Sequence, residues 1–355
     1  MKIKLFFNLD ESLRYEWLEL EKNNFLSTPF NQYEWVKLYC DTVKPNINSK
    51  YLFVVAYKNE KVIAIFPLVI KKKIIKRIEF IGYPFNDVNV PIINCREKLT
   101  KLEIVELKNK IIKKLYEFGD LIFFNNQPEY IYSIKNEYVF RDKIIKNHQN
   151  YKINTEVFMS SFKNNKMYKK LERIQNKYKD FKIHDVKEEI EIEKIYQFFY
   201  KFKFRQLENT RRRNFLKKNE YKNFTKACFL SSNVRKKVYS LKFKDKLISV
   251  FFGYQFNKNF FYIFPTFDTD YSYLSPGNLI IKLFIENYNN KIKCFDFTVG
   301  EEIYKKKWSN ENDCLIDSIY YHNVMGYFYL LFYLLKNNLK RINIFNKMVN
   351  LLKKN

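Results

Sequence analysis

The groups able to do chemistry are concentrated near the end of the chain, in Cys294-Phe295-Asp296-Phe297-Thr298-Val299-Gly300-Glu301-Glu302-Ile303-Tyr304-Lys305-Lys306-Lys307-Trp308. Asp296 sits between phenylalanines in a short apolar strand, where a carboxylate is costly unless hydrogen bonds satisfy it. It therefore either takes part in a reaction or braces the turn that follows. Gly300 permits that turn, and Glu302, Tyr304, Lys305 and Trp308 come next on a short helix. Upstream, Tyr271-Ser272-Tyr273-Leu274-Ser275-Pro276-Gly277-Asn278-Leu279 leads from a strand into a helix with Leu279, Ile280, Leu283, Phe284 and Tyr288 on its apolar side. Ser275 suits the N-cap and Pro276 the first helical position, while Gly277 lets a ligand approach the backbone. The free amides and positive dipole end of such a helix attract an anion such as a pyrophosphate, although Ser-Pro-Gly also opens many ordinary helices.

The elements that must position these residues occur twice. Residues 51–57 and 238–243 are alternating apolar strands that run into Lys-Asn and Lys-Asp turns, each followed by a second β-branched and aromatic strand. After each hairpin come an apolar segment, a helix and a short buried strand: 74–81, 99–118 and 121–124 in the first copy, 260–264, 276–289 and 294–297 in the second. This repeated order predicts a duplicated α+β unit with helices packed on a mixed sheet. Residues 151–232, between the copies, read as helices. Met167, Leu171, Ile174 and Tyr178 form one apolar stripe, with Lys166, Lys169, Lys170, Arg173 and Lys177 on the other side. Ile195, Phe198, Phe199 and Phe202 mark the next helix, whose start carries Glu188, Glu189, Glu191 and Glu193, where negative charge suits the dipole. The run 209–213 reads as an exposed basic turn.

A length of 355 residues suits two domains, and 46% hydrophobic residues with 19% aromatics supply a core that a mainly disordered chain lacks. Lys and Arg number 65 against 38 Asp and Glu, and the resulting +27 charge attracts anions: nucleic acid, acidic lipid or a phosphorylated small molecule. A chain so rich in Lys, Asn and Ile is also what an AT-rich genome writes. The five cysteines are scattered without CxxC and read as buried thiols in a reducing compartment, with no metal site. His148, His184 and His322 have no Ser or Cys partner at a recognised spacing, and His322 reads as structural. There is no Walker loop, GxGxxG or HExxH, which argues against a kinase, dehydrogenase or metallohydrolase. Without an export signal or an apolar run of ~20 residues, the expected location is cytoplasmic.

Ser275-Pro276-Gly277 followed by Asp296-Phe297-x-x-Gly300-x-Glu302-x-Tyr304-Lys305-x-x-Trp308 resembles the C-terminal signature of CelD-like acyltransferases. These are GNAT-superfamily proteins of the cellulose-biosynthesis and BioF2-like group, distantly related to the Fem peptidyl ligases. An aromatic-rich helix at Pro29-Phe30-Asn31-Gln32-Tyr33-Glu34-Trp35, a hairpin ending in Pro67-Leu68, the bend Gly82-Tyr83-Pro84 and the basic helix 168–178 are similar to that family too. The resemblance implies tandem GNAT-like domains: two mixed, mainly antiparallel sheets with flanking helices, residues 1–150 forming the first and 151–325 the second. An acyl-CoA, most simply acetyl-CoA, would bind the second. Direct transfer to an amine or hydroxyl of a small or cell-envelope glycan-precursor acceptor would follow, without metal or covalent enzyme intermediate. On this resemblance Tyr273, Ser275, Gly277 and Asn278 fall at the pyrophosphate position. Asp296 and Glu302 become candidate bases or acceptor-orienting groups, Tyr304 an acid to the leaving thiolate, and Lys305 an anion contact. Common GNAT enzymes place two or more glycines in the phosphate loop, and here Gly277 stands alone between Tyr271 and Leu279. Fem-type enzymes keep the double fold but use charged tRNA, a donor that the basic surface also suits; a non-catalytic scaffold is the third alternative.

Residues 326–355 read as a basic amphipathic tail. An aromatic and aliphatic run, 327–335, leads into Leu335, Leu339, Ile342, Phe345, Val349 and Leu352 at helical spacing. Lys336, Lys340, Arg341, Lys347, Lys353 and Lys354 occupy other faces, with no acid. Such a helix either lies on an anionic leaflet, peripheral to the inner membrane, or packs on the protein.

Overall fold

The computed structural model describes residues 1–22, 27–132, 134–141, 144–162, 165–210 and 214–341. The first half runs β1 (Lys2–Phe6), α1 (Glu11–Lys22), α2 (Tyr33–Thr42), β2 (Ser49–Lys58), β3 (Lys61–Lys72), β4 (Lys76–Phe80), β5 (Ile92–Ile93), α3 (Lys101–Leu115), β6 (Leu121–Pro128), β7 (Tyr130–Ile131), β8 (Ile134–Lys135) and β9 (Ile144–Asn154). The second runs α4 (Thr155–Phe162), α5 (Lys166–Tyr178), β10 (Phe181–Val186), α6 (Glu189–Glu208), α7 (Asn219–Leu230), β11 (Lys236–Phe243), β12 (Lys246–Phe256), β13 (Asn259–Phe267), α8 (Pro276–Tyr288), β14 (Cys294–Val299), α9 (Ile303–Trp308), β15 (Glu311–Tyr321) and α10 (Val324–Arg341).

The duplicated order is borne out: β1-β2-β3-β4-α3-β6 is matched by β10-β11-β12-β13-α8-β14. In each, the strands pair antiparallel until the last step, where β4 lies parallel to β6 and β13 parallel to β14. Even the hairpin turns agree, since Asn59 and Glu60 have φ of 48° and 63°, and Lys244 and Asp245 have 47° and 61°. Two consecutive residues with positive φ give the turn whose twist matches the flanking strands.

The two expected sheets are in fact one. After β6 and the small β7–β8 hairpin, which stands apart, the next strand of the large sheet is β9, which crosses to pair with β14; the strand after β14 is β15, which returns to pair with β6. The two crossing strands also pair with each other, giving the continuous order β1-β2-β3-β4-β6-β15-β9-β14-β13-β12-β11-β10. Because β9 and β10 are strands, residues 151–154 and 181–186 depart from the all-helical reading of 151–232. Helices α5 and α6 lie where their stripes predict, Asn165 capping α5 through the Met167 N–H at 2.8 Å. In the turn 209–213, residues 211–213 lie outside the described residues. Of the cysteines, Cys228 is fully buried and Cys40, Cys95, Cys294 and Cys314 are half-buried. His322 stacks on Tyr116 at 4.7 Å.

A core cluster spans both halves. Phe224 of α7 lies 5.3 Å from Trp35, 5.2 Å from Tyr39 and 4.7 Å from Phe85, ring centre to ring centre, all four buried. The first half thus supplies three walls of a socket for one ring of the second. Among the described residues no helix is long and apolar enough to cross a membrane.

Replacing Phe224 with Ala should lower unfolding free energy by about 3–5 kcal/mol. Denaturant titration checks this; a loss below about 1 kcal/mol would mean that the socket does not join the halves.

Candidate active site

The site arises where parallel strands fail to stay together. Pairing of β13 with β14 stops at Phe261 and Asp296, and that of β4 with β6 stops at Glu79 and Phe123. Beyond these points β14 and β6 leave the ladder at residues with left-handed backbone, Thr298 at φ 59° and Asn126 at φ 52°. That conformation is unusual for a β-branched threonine and must be held in place. A buried carboxylate holds each. Asp296 Oδ1 accepts the Thr298 N–H at 2.7 Å, and Asp317 Oδ1 accepts the Asn126 N–H at 2.7 Å. Strand β9 supports both acids: Asn150 Nδ2 donates to Asp296 Oδ2 at 3.2 Å with Lys152 Nζ 3.7 Å away, and His148 Nε2 is 3.0 Å from Asp317 Oδ2. Burial still pushes the Asp296 carboxyl upward, against Lys152 and the Thr298 amide.

Each parting opens a cleft. The larger, about 1040 Å³, lies between β4 and β6 and includes Tyr51, Lys71, Arg77, Tyr83, Asn125 and Lys218 in its lining. The smaller, about 380 Å³, lies between β13 and β14 and is bounded by Tyr262, Phe264, Phe297, Gly300, Glu302 and Tyr304 among others. Pro84, Asp87 and Val299 belong to the walls of both. Asp87, from the first half, meets Thr298 of the second, Oγ1 to Oδ2, at 2.7 Å. Burial pushes its carboxyl up to about 6, opposed by the Lys305 ammonium and the Thr298 hydroxyl and aided by Glu302 and Asp296. Lys305 is itself buried, donating to the Val299 carbonyl at 2.7 Å and pairing with Glu302 Oε2 at 3.2 Å. Gly300 has φ 134°, and a β-carbon there would come within 2.3 Å of Glu302 Oε2 and 2.8 Å of Lys305 Nζ. A side chain at that turn would take a strained backbone and displace the Glu302 and Lys305 head groups.

Of the residues singled out from the sequence, Glu302, Tyr304 and Lys305 come together in the smaller cleft. Asp296 stands behind them, directed at the bulge and lining neither cleft. The group at the start of α8 lies apart from the cleft lining. Tyr273 is exposed beside Tyr178. Ser275 occupies the N-cap position in left-handed conformation, φ 51°, but its hydroxyl makes no capping bond, because that geometry differs from the extended backbone of an ordinary cap. Asn278 Oδ1 accepts the Trp308 Nε1–H at 2.9 Å, tying α8 to α9. The amides of Asn278 and Leu279 bond to the Ser275 carbonyl and that of Ser275 to Ser272. This leaves the Gly277 N–H as the available donor of the turn, next to the Phe267 ring, which a β-carbon at 277 would meet at 3.2 Å. On the open edge of β13, Lys203 Nζ covers the Pro265 carbonyl at 3.1 Å and Gln206 Nε2 the Phe267 carbonyl at 3.3 Å. Asp87 is the residue that sequence reasoning missed; its one local signal is the Gly82-Tyr83-Pro84 bend that precedes it. Among the described residues no group of three or more His, Cys, Asp or Glu is placed to hold a metal.

Residues 163–306 match the family model described as an acetyltransferase (GNAT) domain. The second half of this chain thus contains a GNAT-type acyltransferase domain, and the α+β, tandem GNAT-like architecture extends through the first half. No curated protein matches the chain by sequence. Among solved structures, the fold is similar to FemX, with a TM-score of 0.58, 9% identity and coverage of 91% of this chain and 98% of that one. It is similar to a conserved protein of unknown function from Bacteroides thetaiotaomicron VPI-5482, with a TM-score of 0.56, 10% identity and coverage of 90% and 100%. A third is the C-terminal domain (DUF2156) of a protein named as a lysylphosphatidylglycerol synthetase from Agrobacterium fabrum, with a TM-score of 0.53, 10% identity and coverage of 84% and 95%.

Since the folded-state pKa of Asp87 lies above its ordinary 3.8, folding favours its protonated form. The stability this contributes is present at low pH and is lost as pH rises through about 6. Wild type measured against Asp87→Asn should therefore lose relative thermal stability between about pH 4 and pH 7. The comparison removes the contribution of Glu21, which burial pushes up to about 7. A flat difference across that range would show that Asp87 is not shifted.

Proposed function

We propose that the protein transfers an acyl group, most simply acetyl, from a coenzyme A thioester in the smaller cleft to an amine or hydroxyl acceptor in the larger one. The observation that carries this reading is the place of Asp87, in the wall that the clefts share and accepting the Thr298 hydroxyl at 2.7 Å, with its carboxyl pushed up to about 6 by burial. At neutral pH its carboxylate is mostly ionised yet basic enough to accept a proton, the balance that general-base work requires.

In this reading the acceptor N–H or O–H gives its proton to Asp87 as its lone pair attacks the acyl carbon. The new C–N or C–O bond forms, the C–S bond breaks, and Tyr304 supplies a proton to the departing sulfur. Lys305 holds positive charge beneath the reacting groups, and Glu302 fixes Lys305. Asp296 is a positioning residue, acting through the bulge that carries Thr298. A volume of about 380 Å³ suits the acyl-pantetheine end of the donor. The Gly277 N–H and the positive end of α8 would receive its diphosphate. The CelD-like pattern of 296–308 supports this assignment and, more loosely, a cell-envelope glycan precursor as acceptor.

One observation favours a second reading, aminoacyl transfer from charged tRNA. The start of α8 offers a single amide and Pro265 has no N–H to give, so the backbone grip on a nucleotide thioester is slender. A tRNA would instead bind through its phosphates to a surface of +27 net charge. Titration calorimetry with acetyl-CoA beside a gel shift with charged and uncharged tRNA separates the two. The leading reading predicts heat with acetyl-CoA and no preference for charged tRNA; the reverse pattern overturns it.

Thiol release from acetyl-CoA against a panel of amines and hydroxyl compounds tests the chemistry. Asp87→Asn should lower kcat/KM by about 10²–10⁴-fold and remove the acid limb near pH 6. Tyr304→Phe should lower kcat more than it raises KM. An Asp87→Asn enzyme within about threefold of wild type would reject Asp87 as the base.

A further inference from the structure

Helix α10 carries two apolar stripes, and only one of them is used. Tyr329, Leu330 and Tyr333 face inward and pack with Ile75, Leu121 and Ile319. The Tyr333 ring lies 5.9 Å from that of Phe123, a residue of the larger cleft. Facing outward are Val324, Met325, Phe328, Phe332 and Leu335, each between 54% and 68% exposed. Phe328, Phe332 and Leu335 recur four and three residues apart, so the outer stripe is continuous. A helix that packs on one side and meets water on the other ordinarily turns polar residues outward; aromatic rings there mark a surface made to be covered.

The charges beside the stripe identify the cover. Lys336, Lys340, Arg341, Lys347, Lys353 and Lys354 follow it, and no Asp or Glu occurs from Val324 to Asn355. Of the tail residues in this pattern, Ile342, Phe345, Lys347, Val349, Leu352, Lys353 and Lys354 lie outside the described residues. The neighbouring tip between β3 and β4 repeats the chemistry. Its Lys72 and Lys73 stand on the rim of the larger cleft, Ile74 is 86% exposed, and Ile75 belongs to the inner cluster of α10. One carboxylate lies between the tip and the helix, Asp120, and it is engaged by the Lys76 N–H and Asn323 Nδ2, both at 2.7 Å. Exposed aromatic and aliphatic groups beside an excess of lysines match an anionic lipid surface, whose acyl chains take the rings and whose headgroups take the ammonium groups.

We propose that the outer stripe of α10, with the β3–β4 tip beside it, docks the protein on an anionic leaflet next to the larger cleft. This holds whichever donor the enzyme uses. The full-length chain should sediment with phosphatidylcholine vesicles containing phosphatidylglycerol and remain in solution with phosphatidylcholine alone. Phe328→Glu together with Phe332→Glu should lower the vesicle-bound fraction by at least about tenfold while melting like wild type. A separate Phe328→Trp variant is readable because Trp17, Trp35 and Trp308 are all buried. Its emission should shift to the blue with anionic vesicles only. Unchanged emission, equal binding to neutral vesicles, or full binding by the double Glu variant would each overturn the proposal. So would light scattering that shows a wild-type dimer converted to monomer by those two substitutions, since a second copy would then be the cover.

Discussion

Everything at the site depends on the hydrogen bond from the Thr298 amide to the buried Asp296 carboxylate. A parallel strand pair has no reason of its own to open, and a threonine resists a left-handed backbone. The carboxylate satisfies an amide that would otherwise lose its ladder partner, and a residue that has left the ladder no longer holds β14 against β13. The acid is costly to bury, and the cost is offset by two donors, the Thr298 amide and Asn150, and by the Lys152 ammonium 3.7 Å away. The same device recurs in the first half, with Asp317 holding Asn126. In both, β9 supplies the support, which explains how a single crossing strand can coordinate two clefts.

That crossing has a mechanical consequence. GNAT-like units joined by a loop could shift relative to one another, whereas these share a ladder through β15 and β9 and a socket around Phe224. The distance between Asp87 and Thr298 is therefore fixed by sheet geometry on one side and aromatic packing on the other. In the proposed reaction this holds a proton acceptor from the first half within the second, as direct transfer between the two clefts requires.

The sequence reveals what local chemistry dictates. Alternation with paired Lys-Asn and Lys-Asp turns exposes both hairpins, helical stripes expose α5 and α6, and Glu302, Tyr304 and Lys305 lie close enough in the chain to be read as one constellation. It conceals what depends on distant partners. The middle of strand β9, with Lys146, Asn147, His148, Gln149 and Asn150 in succession, is polar because its neighbours present carboxylates there, so it does not look like an inner strand. By sequence Asp296 suits chemistry and bracing equally, and only the position of the Thr298 amide shows the bracing. Asp87 is 211 residues from its partner Thr298, and no spacing rule connects them. Ser275 looks like a helix cap by type, yet its left-handed backbone turns the hydroxyl away from that use.

The most direct test of the account is a crystal structure with a non-hydrolysable acyl-CoA analogue. The sulfur should lie between β13 and β14, with the acyl carbon facing Asp87 across the Thr298 bulge and the diphosphate at the Gly277 amide. Density for the analogue in the larger cleft, or bound elsewhere with the parted strands filled by protein, would contradict it.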